Sequence, residues 1–471
     1  MKIGDMKIRG ITCNSKEVKK GFVFVAIKGE SQDGNSFIGE AIAGGASIVV
    51  VEKRDPAIKF PSAVKAIVVK DSRKFLANAC AEFYRHPSQD LKIVGITGTN
   101  GKTTIAYLIE TIAKKADFAC GVIGTISHRF KGKVIKAGNT TPGPGELQGY
   151  LSKMHSLGVR YCAMEVSSHA LDQERVGGVN FSCAIFTNLT QDHLDYHKNL
   201  EDYFQAKAKL FRFLPETSVA IINNDDKYGC RIKRLTSARV ITYGIRNKSI
   251  VMARDIKFSI TGSSFTLAAP KIKAEIKTGL VGRHNIYNLL AGIAWGLSEG
   301  LDFKDIKSGV EKFKTAPGRL EKIACNKGYD VFVDYAHTPD ALFNVVTALR
   351  PLVRGRIIVV FGCGGERDSF KRPKMGRIVT QLADYAIITS DNPRSEDPLG
   401  IIRDIRRGIR KNNFRVIPDR LKAIRTGLFL ARRGDCLIIA GKGHEDYQVL
   451  KDKTVYFSDR KAVQECLGSM K

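Results

Sequence analysis

Residues 94–104, VGITGTNGKTT, constrain this chain more than any other stretch. Ile93, Val94 and Ile96 form an apolar, β-branched run that ends in a glycine-studded turn, and beyond it Ile105, Leu108, Ile109 and Ile112 recur at helical spacing. That order is strand, phosphate loop, helix. Gly98 and Gly101 let successive backbone N–H groups converge on an anion, with Thr99 and Asn100 between them and Thr104 after. Lys102 adds a point charge for the outer phosphates, and Thr103 offers a hydroxyl to a divalent cation at a helix N-terminus. The usual pattern wants a glycine where Ile96 stands, and Gly95 comes one residue early, so the loop is the shortened Gly98-x-x-Gly101-Lys102-Thr103. Alone it is also compatible with a plain glycine turn, and the rest of the chain has to decide.

At 471 residues the chain is too long for one ordinary domain and suggests about three. With 43% hydrophobic and 26% charged residues, wholesale disorder is excluded. The ten cysteines are scattered, without a close pair of metal-binding or redox type, which is the pattern of reduced thiols in a cytoplasmic protein. The N-terminus has no apolar segment of signal-peptide length and no run of eighteen apolar residues occurs, so a soluble chain without membrane insertion is expected. A formal charge of +29 raises nucleic acid as a partner. The lysines and arginines are nevertheless spread out, without a long basic block or interleaved aromatics, and an anionic small substrate explains them as well.

Three units are expected. Residues 1–90 hold strand-like runs at 23–27, 46–52 and 65–70 with helical patterns at 37–43 and 74–84, a small α/β module. Residues 91–315 alternate strands and helices around the phosphate loop, with strands at 92–97, 161–166, 183–189 and 219–225. Residues 316–471 repeat the alternation, with strands at 330–336, 356–362, 385–391 and 436–441. The fold class is therefore α/β: a small N-terminal module, a central P-loop-type, mostly parallel sheet domain, and a C-terminal doubly wound, Rossmann-like domain.

Polar clusters fall at strand ends, where a parallel sheet places ligands. Glu165-Val166-Ser167-Ser168-His169 supplies a carboxylate and hydroxyls for a hard cation opposite Thr103. The segment 187–198, TNLTQDHLDYHK, packs Asn188, Asp192, His193, Asp195 and His197 together without zinc-type spacing. In the last unit the clusters begin at Val333, Gly362, Asp391 and Ala440, and Arg367, Lys371, Arg372 and Arg394 offer cations for carboxylates or phosphates.

Read together, TGTNGKTT, NTTPG (139–143), EVSSHAL, TNLTQDHLDYH, AKAKLF (206–211), GRHNIYNLLA (282–291), PGRLE (317–321), DYAHTPDAL, GCGGERD, KRPKMG and DNPRSEDP come in the order and spacing of the Mur ligase family. The chain resembles that family over nearly its whole length, and the shortened phosphate loop is the family's own form. The resemblance implies an ATP-dependent amide ligase: ATP phosphorylates a substrate carboxylate, and the amine of an incoming amino acid attacks the acyl phosphate. It implies Mg²⁺ as cofactor, held by Thr103, Glu165 and His193, with Lys102 on the outer phosphates. Lys207 matches the family lysine that is carbamylated and then serves as a further metal ligand. Asn285 and Asn288 would lie near the adenine, and Arg319 and Asp334 would serve ATP. Ser15, Thr140, Thr141, Ser167, Gln173 and Arg175 match positions for a UDP-sugar peptide, although Asn14-Ser15-Lys16 stands where relatives usually show Asp-Ser-Arg.

Within the family the resemblance is strongest to the member that adds meso-diaminopimelate to UDP-N-acetylmuramoyl-L-alanyl-D-glutamate. Diaminopimelate differs from lysine by a carboxylate on its distal carbon, and Arg394 suits a bidentate pair with it. Asp391, Asn392, Gly441 and Glu445 would complete that distal pocket, with Arg367 on the other end of the amino acid. The expected partners are these small molecules, with no nucleic acid, and the chain is expected to act as a monomer. Two alternatives stay open: the lysine-adding relative, with the folate polyglutamate synthases further off, and, from a different class, a basic P-loop ATPase acting on nucleic acid.

Overall fold

The computed structural model describes all residues except 1, 4, 5, 30, 31, 470 and 471. Three sheets organise it. The first is parallel and has four strands in chain order, Gly10–Thr12, Phe22–Val25, Ala46–Val51 and Lys65–Val68. Val23, Val25, Ile48 and Val50 on one face are buried with Leu76 and Cys80 of the Ser72–Phe83 helix.

The central sheet has eleven strands. Its middle is parallel, and the phosphate-loop strand Lys92–Thr97 lies between Tyr161–Glu165 and Phe181–Phe186. Flanked on both sides and covered on both faces, such strands can be apolar throughout, which is why KIVGIT and YCAME read as continuous runs. At one edge Val251–Ser259, Gly262–Ala269 and Ile272–Thr278 form an antiparallel ribbon, and at the other Ser127–Phe130 and Lys133–Lys136 form a hairpin. The sequence reading did not anticipate either edge.

Helix Lys102–Lys115 starts at the loop and buries Ile105, Leu108, Ile109 and Ile112. Lys114 and Lys115 in its last turn complement the negative end of the helix dipole. It packs on Arg283–Ser298, where Leu108 lies so close to Gly292 that any Cβ would overlap it. Trp295 of that second helix is buried edge-on against Tyr161, 5.2 Å between ring centres.

The third sheet orders its six strands Glu321–Ile323, Asp330–Asp334, Cys436–Ala440, Ile357–Phe361, Tyr385–Ile388 and Phe414–Val416. All but the first pair are parallel, and helices bury both faces. Its strand ends face those of the central sheet. Across the junction Asn100 Nδ2 donates to Asp340 (2.9 Å), Lys374 Nζ to Gln191 (2.6 Å) and Arg319 Nη2 to the Thr103 hydroxyl (3.0 Å). Among the described residues no helix is long and apolar enough to cross a membrane.

Candidate active site

The phosphate loop separates two clefts. Gly98 has φ +142° and Gly101 φ +93°, a region that favours glycine, and a Cβ on either would overlap the Thr187 hydroxyl or the Asn288 amide. Lys102 folds back over the loop, its Nζ donating to the Gly98 and Thr99 carbonyls at 2.9 Å each. Lys207, on helix Leu200–Arg212, reaches the same Gly98 carbonyl from below (2.9 Å) and lies 4.4 Å from the Tyr203 ring centre. It is only 1% exposed. Burial drives its amine well below the ordinary lysine range, Lys102 pushes the same way, and Asp192 opposes.

Thr103 sits at the loop's helical end and donates to Glu165 Oε2 (2.9 Å). Glu165 ends the neighbouring strand and is held by Thr125, through N–H on Oε1 (2.9 Å) and hydroxyl on Oε2 (3.0 Å). A buried carboxylate beside a hydroxyl is the oxygen donor set that suits Mg²⁺. His193, at φ +54°, faces the same cleft. Loss of solvent pushes its imidazole down, so it stands as a neutral, ligand-competent ring. For Asp192 burial alone would raise the carboxyl, yet His193 and Lys371 hold it below the usual range. Among the described residues no group of three or more His, Cys, Asp or Glu is arranged to hold a metal by itself, and Thr103, Glu165, His193 and Lys207 stand separately around the loop.

The first cleft, about 450 Å³, takes Asn100, Gly101, Thr104, Asn285, Asn288, Arg319 and Asp334. The two amides are bonded to each other, Asn288 Nδ2 to Asn285 Oδ1 at 3.2 Å. Burial raises the Asp334 carboxyl, and Arg319 and the N–H groups of Leu320 and Ala336 offset that.

The second cleft, about 360 Å³, joins the other side of the loop to the third sheet. It holds Thr99, Lys102, Thr103, Thr140, Glu165, Ser167 and His193 on one wall, and Arg367, Asp391, Asn392, Arg394, Gly441 and Glu445 on the other. Asn392 Nδ2 donates to Glu445 (2.8 Å), and Arg394 Nη1 donates to the Gly365 carbonyl (2.6 Å), which aims the guanidinium. Thr141, Gln173 and Arg175 lie behind this cleft: Arg175 donates to the Thr141 carbonyl (3.1 Å) and to Gln173 Oε1, and Thr141 donates to the Glu165 carbonyl (2.8 Å). Ser15 stands apart. It is buried in the first unit, donates to Glu40 (2.7 Å) and lines neither cleft.

Three residues not singled out in the sequence also shape the second cleft. Lys442 is wholly buried and donates to Asn392 Oδ1 (2.9 Å) and Glu445 Oε2 (3.2 Å). The Tyr335 hydroxyl reaches Glu445 Oε1 (3.3 Å), and His337 lines the wall. Tyr335 and His337 lie inside the DYAHTPDAL segment and Lys442 in the cluster that begins at Ala440, but only the fold shows that they turn inward.

Profiles of three domains match the chain: the Mur ligase family catalytic domain over residues 7–84, the Mur ligase middle domain over 96–296 and the Mur ligase glutamate ligase domain over 318–443. The chain belongs to the Mur ligase family. A UDP-N-acetylmuramoyl-L-alanyl-D-glutamate–2,6-diaminopimelate ligase of Clostridium tetani is 43% identical over 99% of this chain and 96% of its own. A ligase of the same name from Aquifex aeolicus is 45% identical over 98% and 94%. The solved structure of a ligase with that name superposes with TM-score 0.70 at 32% identity, covering 98% of this chain and 95% of the other. A folylpolyglutamate synthase of Mycobacterium tuberculosis shares the fold at TM-score 0.65 and 16% identity over 83% of this chain. The three-unit α/β architecture of this Mur ligase is thus the one its sequence implies.

Proposed function

We propose that this Mur ligase uses ATP to join diaminopimelate to the glutamate carboxylate of UDP-N-acetylmuramoyl-L-alanyl-D-glutamate. One observation carries the reading: a single cleft places Lys102, Thr103 and Glu165 opposite Arg367, Asp391, Asn392, Arg394 and Glu445. A phosphate-binding loop thereby faces a pocket with charges of both signs, which is what a zwitterionic amino acid with an extra carboxylate requires. We assign residues 1–90 to the uridine end, 91–315 to ATP and 316–471 to the amino acid.

A carboxylate is a poor electrophile. Its oxygen attacks the γ-phosphorus, ADP leaves, and the acyl phosphate that results carries a good leaving group; the neutral amine then attacks the acyl carbon and phosphate departs. Lys102 and Arg319 offset the repulsion between the anionic nucleophile and the polyphosphate. Thr103, Glu165 and His193 would hold Mg²⁺, which when bound supplies positive charge to the transferring phosphoryl group. Burial at Lys207 favours the neutral amine, the form that reacts with CO₂, and its carbamate would add an anionic ligand beside Lys102.

Phosphate release across a panel of amino acids tests this. Release should require both the UDP-linked dipeptide and diaminopimelate. Release with lysine in its place would move the enzyme to the lysine-adding type, and stimulation by DNA or RNA would overturn the ligase reading. Depletion of bicarbonate should lower the rate, and full activity in CO₂-free buffer would remove the carbamate from the scheme.

A further inference from the structure

We propose that Arg420 is a positioning residue for the amino-acid pocket, acting through two strand ends that the sheet itself does not pair. The proposal rests on the amino-acid assignment made above. Arg420 opens helix Arg420–Leu430, and its side chain has no solvent exposure. Its Nε and Nη2 form a fork with both oxygens of Asp459, at 2.7 Å each, and Asp459 is the first residue of the C-terminal helix. The guanidinium then donates outward to two carbonyls, Nη2 to Ala440 (3.0 Å) and Nη1 to Ser390 (3.4 Å).

Ala440 ends one strand and Ser390 lies just past the end of another. Those strands are not neighbours, because Ile357–Phe361 runs between them, so no ladder hydrogen bond fixes one end against the other. The next residues in each chain segment are Gly441 and Asp391, both on the pocket wall. They are tightly apposed: a Cβ on Gly441, at φ +117°, would stand 2.5 Å from Asp391 Oδ2. Arg420 Nη1 lies 4.0 Å from that same oxygen.

A buried ion pair is a weak source of stability, since desolvation cancels much of the attraction, and apolar side chains of similar volume hold helices together as well. Apolar side chains cannot donate to carbonyls on two separated strands. Removing the guanidinium therefore leaves the Ala440 and Ser390 carbonyls short of this donor and the strand ends free to shift, and Asp391 shifts with them. Pocket geometry must be held to a fraction of an ångström for a charged ligand, so binding of the amino acid is the property that suffers first.

The experiment begins with the wild-type enzyme. If it does not turn over diaminopimelate, the assignment of the pocket fails whatever Arg420 does. Given turnover, two variants are compared: Arg420→Lys and the paired Arg420→Met with Asp459→Leu, which leaves no lone buried charge. The KM for diaminopimelate should rise roughly tenfold or more in Arg420→Lys and in the paired variant, and the kcat/KM preference for diaminopimelate over lysine should shrink. The KM values for ATP and for the UDP-linked dipeptide should stay within about twofold, as expected where only one site is disturbed. Unchanged diaminopimelate KM in either folded variant would overturn the proposal. An equal rise in all three KM values, in step with a fall in Tm, would do the same, because it is what a purely structural ion pair produces.

Discussion

Replacing Arg394 with alanine isolates the interaction that separates diaminopimelate from lysine. Arg394 lines the second cleft with its guanidinium braced on the Gly365 carbonyl, so the fork is held in place before substrate arrives. Its backbone is left-handed, φ +54°, but arginine and alanine both carry a Cβ and the backbone cost cancels in the comparison. What changes is the partner of the distal carboxylate. A charge-assisted pair lost in a largely desolvated pocket, with the other charge left behind, costs about 2–3 kcal/mol, or roughly 30- to 150-fold in affinity. Water admitted to the vacated space compensates in part, so we expect the lower end, about a 30-fold rise in KM for diaminopimelate. Lysine has no distal carboxylate, and its kcat/KM should change less than about threefold. Steady-state phosphate release with each amino acid, at saturating ATP and UDP-linked dipeptide, reads both numbers. A parallel loss for the two amino acids, or none for either, would refute the role of Arg394; Arg394→Lys should recover only part of the loss, because a point charge cannot form the fork.

Gly98→Ala should abolish nucleotide binding measured by calorimetry while far-UV circular dichroism stays native, because the new methyl would overlap the Thr187 hydroxyl at φ +142°; wild-type affinity would show that the loop does not need this conformation. Stability should also fall in acid. Loss of solvent holds His169 and His337 at about 4 and His193 and His444 at about 3, against an ordinary value of 6.5. Below pH 6.5 the unfolded chain takes up protons that the folded one refuses, so the stability present above that pH is lost as pH falls toward 4. Tm should drop over that window and drop less in His444→Asn; an identical profile in the variant would refute the contribution of His444.

The parts of this fold that could be read from the sequence are those where burial dictates residue type on both faces of an element. KIVGIT matches the Lys92–Thr97 strand to the residue, and the strands at Tyr161, Val219, Tyr385 and Cys436 begin where their apolar runs begin. The ribbon at 251–278 escaped because its outer positions face water and carry Arg254, Lys257, Lys273, Glu275 and Lys277, which dilute the apolar signal. The site divides in the same way. Lys102 and Thr103 are marked by local spacing, whereas Lys442 and Arg420 act through strand ends fifty and thirty residues away in the chain, Asn392 and Ser390, and only the packed sheet brings them there.

The Gly98 carbonyl accepts from two amines at once, Lys102 and Lys207. Two ammonium groups cannot share one oxygen cheaply, and Lys102 thereby helps burial to hold the Lys207 amine below the ordinary lysine range. Phosphates that draw Lys102 off this oxygen relieve the repulsion and raise the proton affinity of Lys207. A proton there blocks reaction with CO₂. Under the carbamate scheme proposed above, nucleotide binding and the freeing of the Lys207 amine from its proton therefore oppose each other, by the same factor whichever comes first.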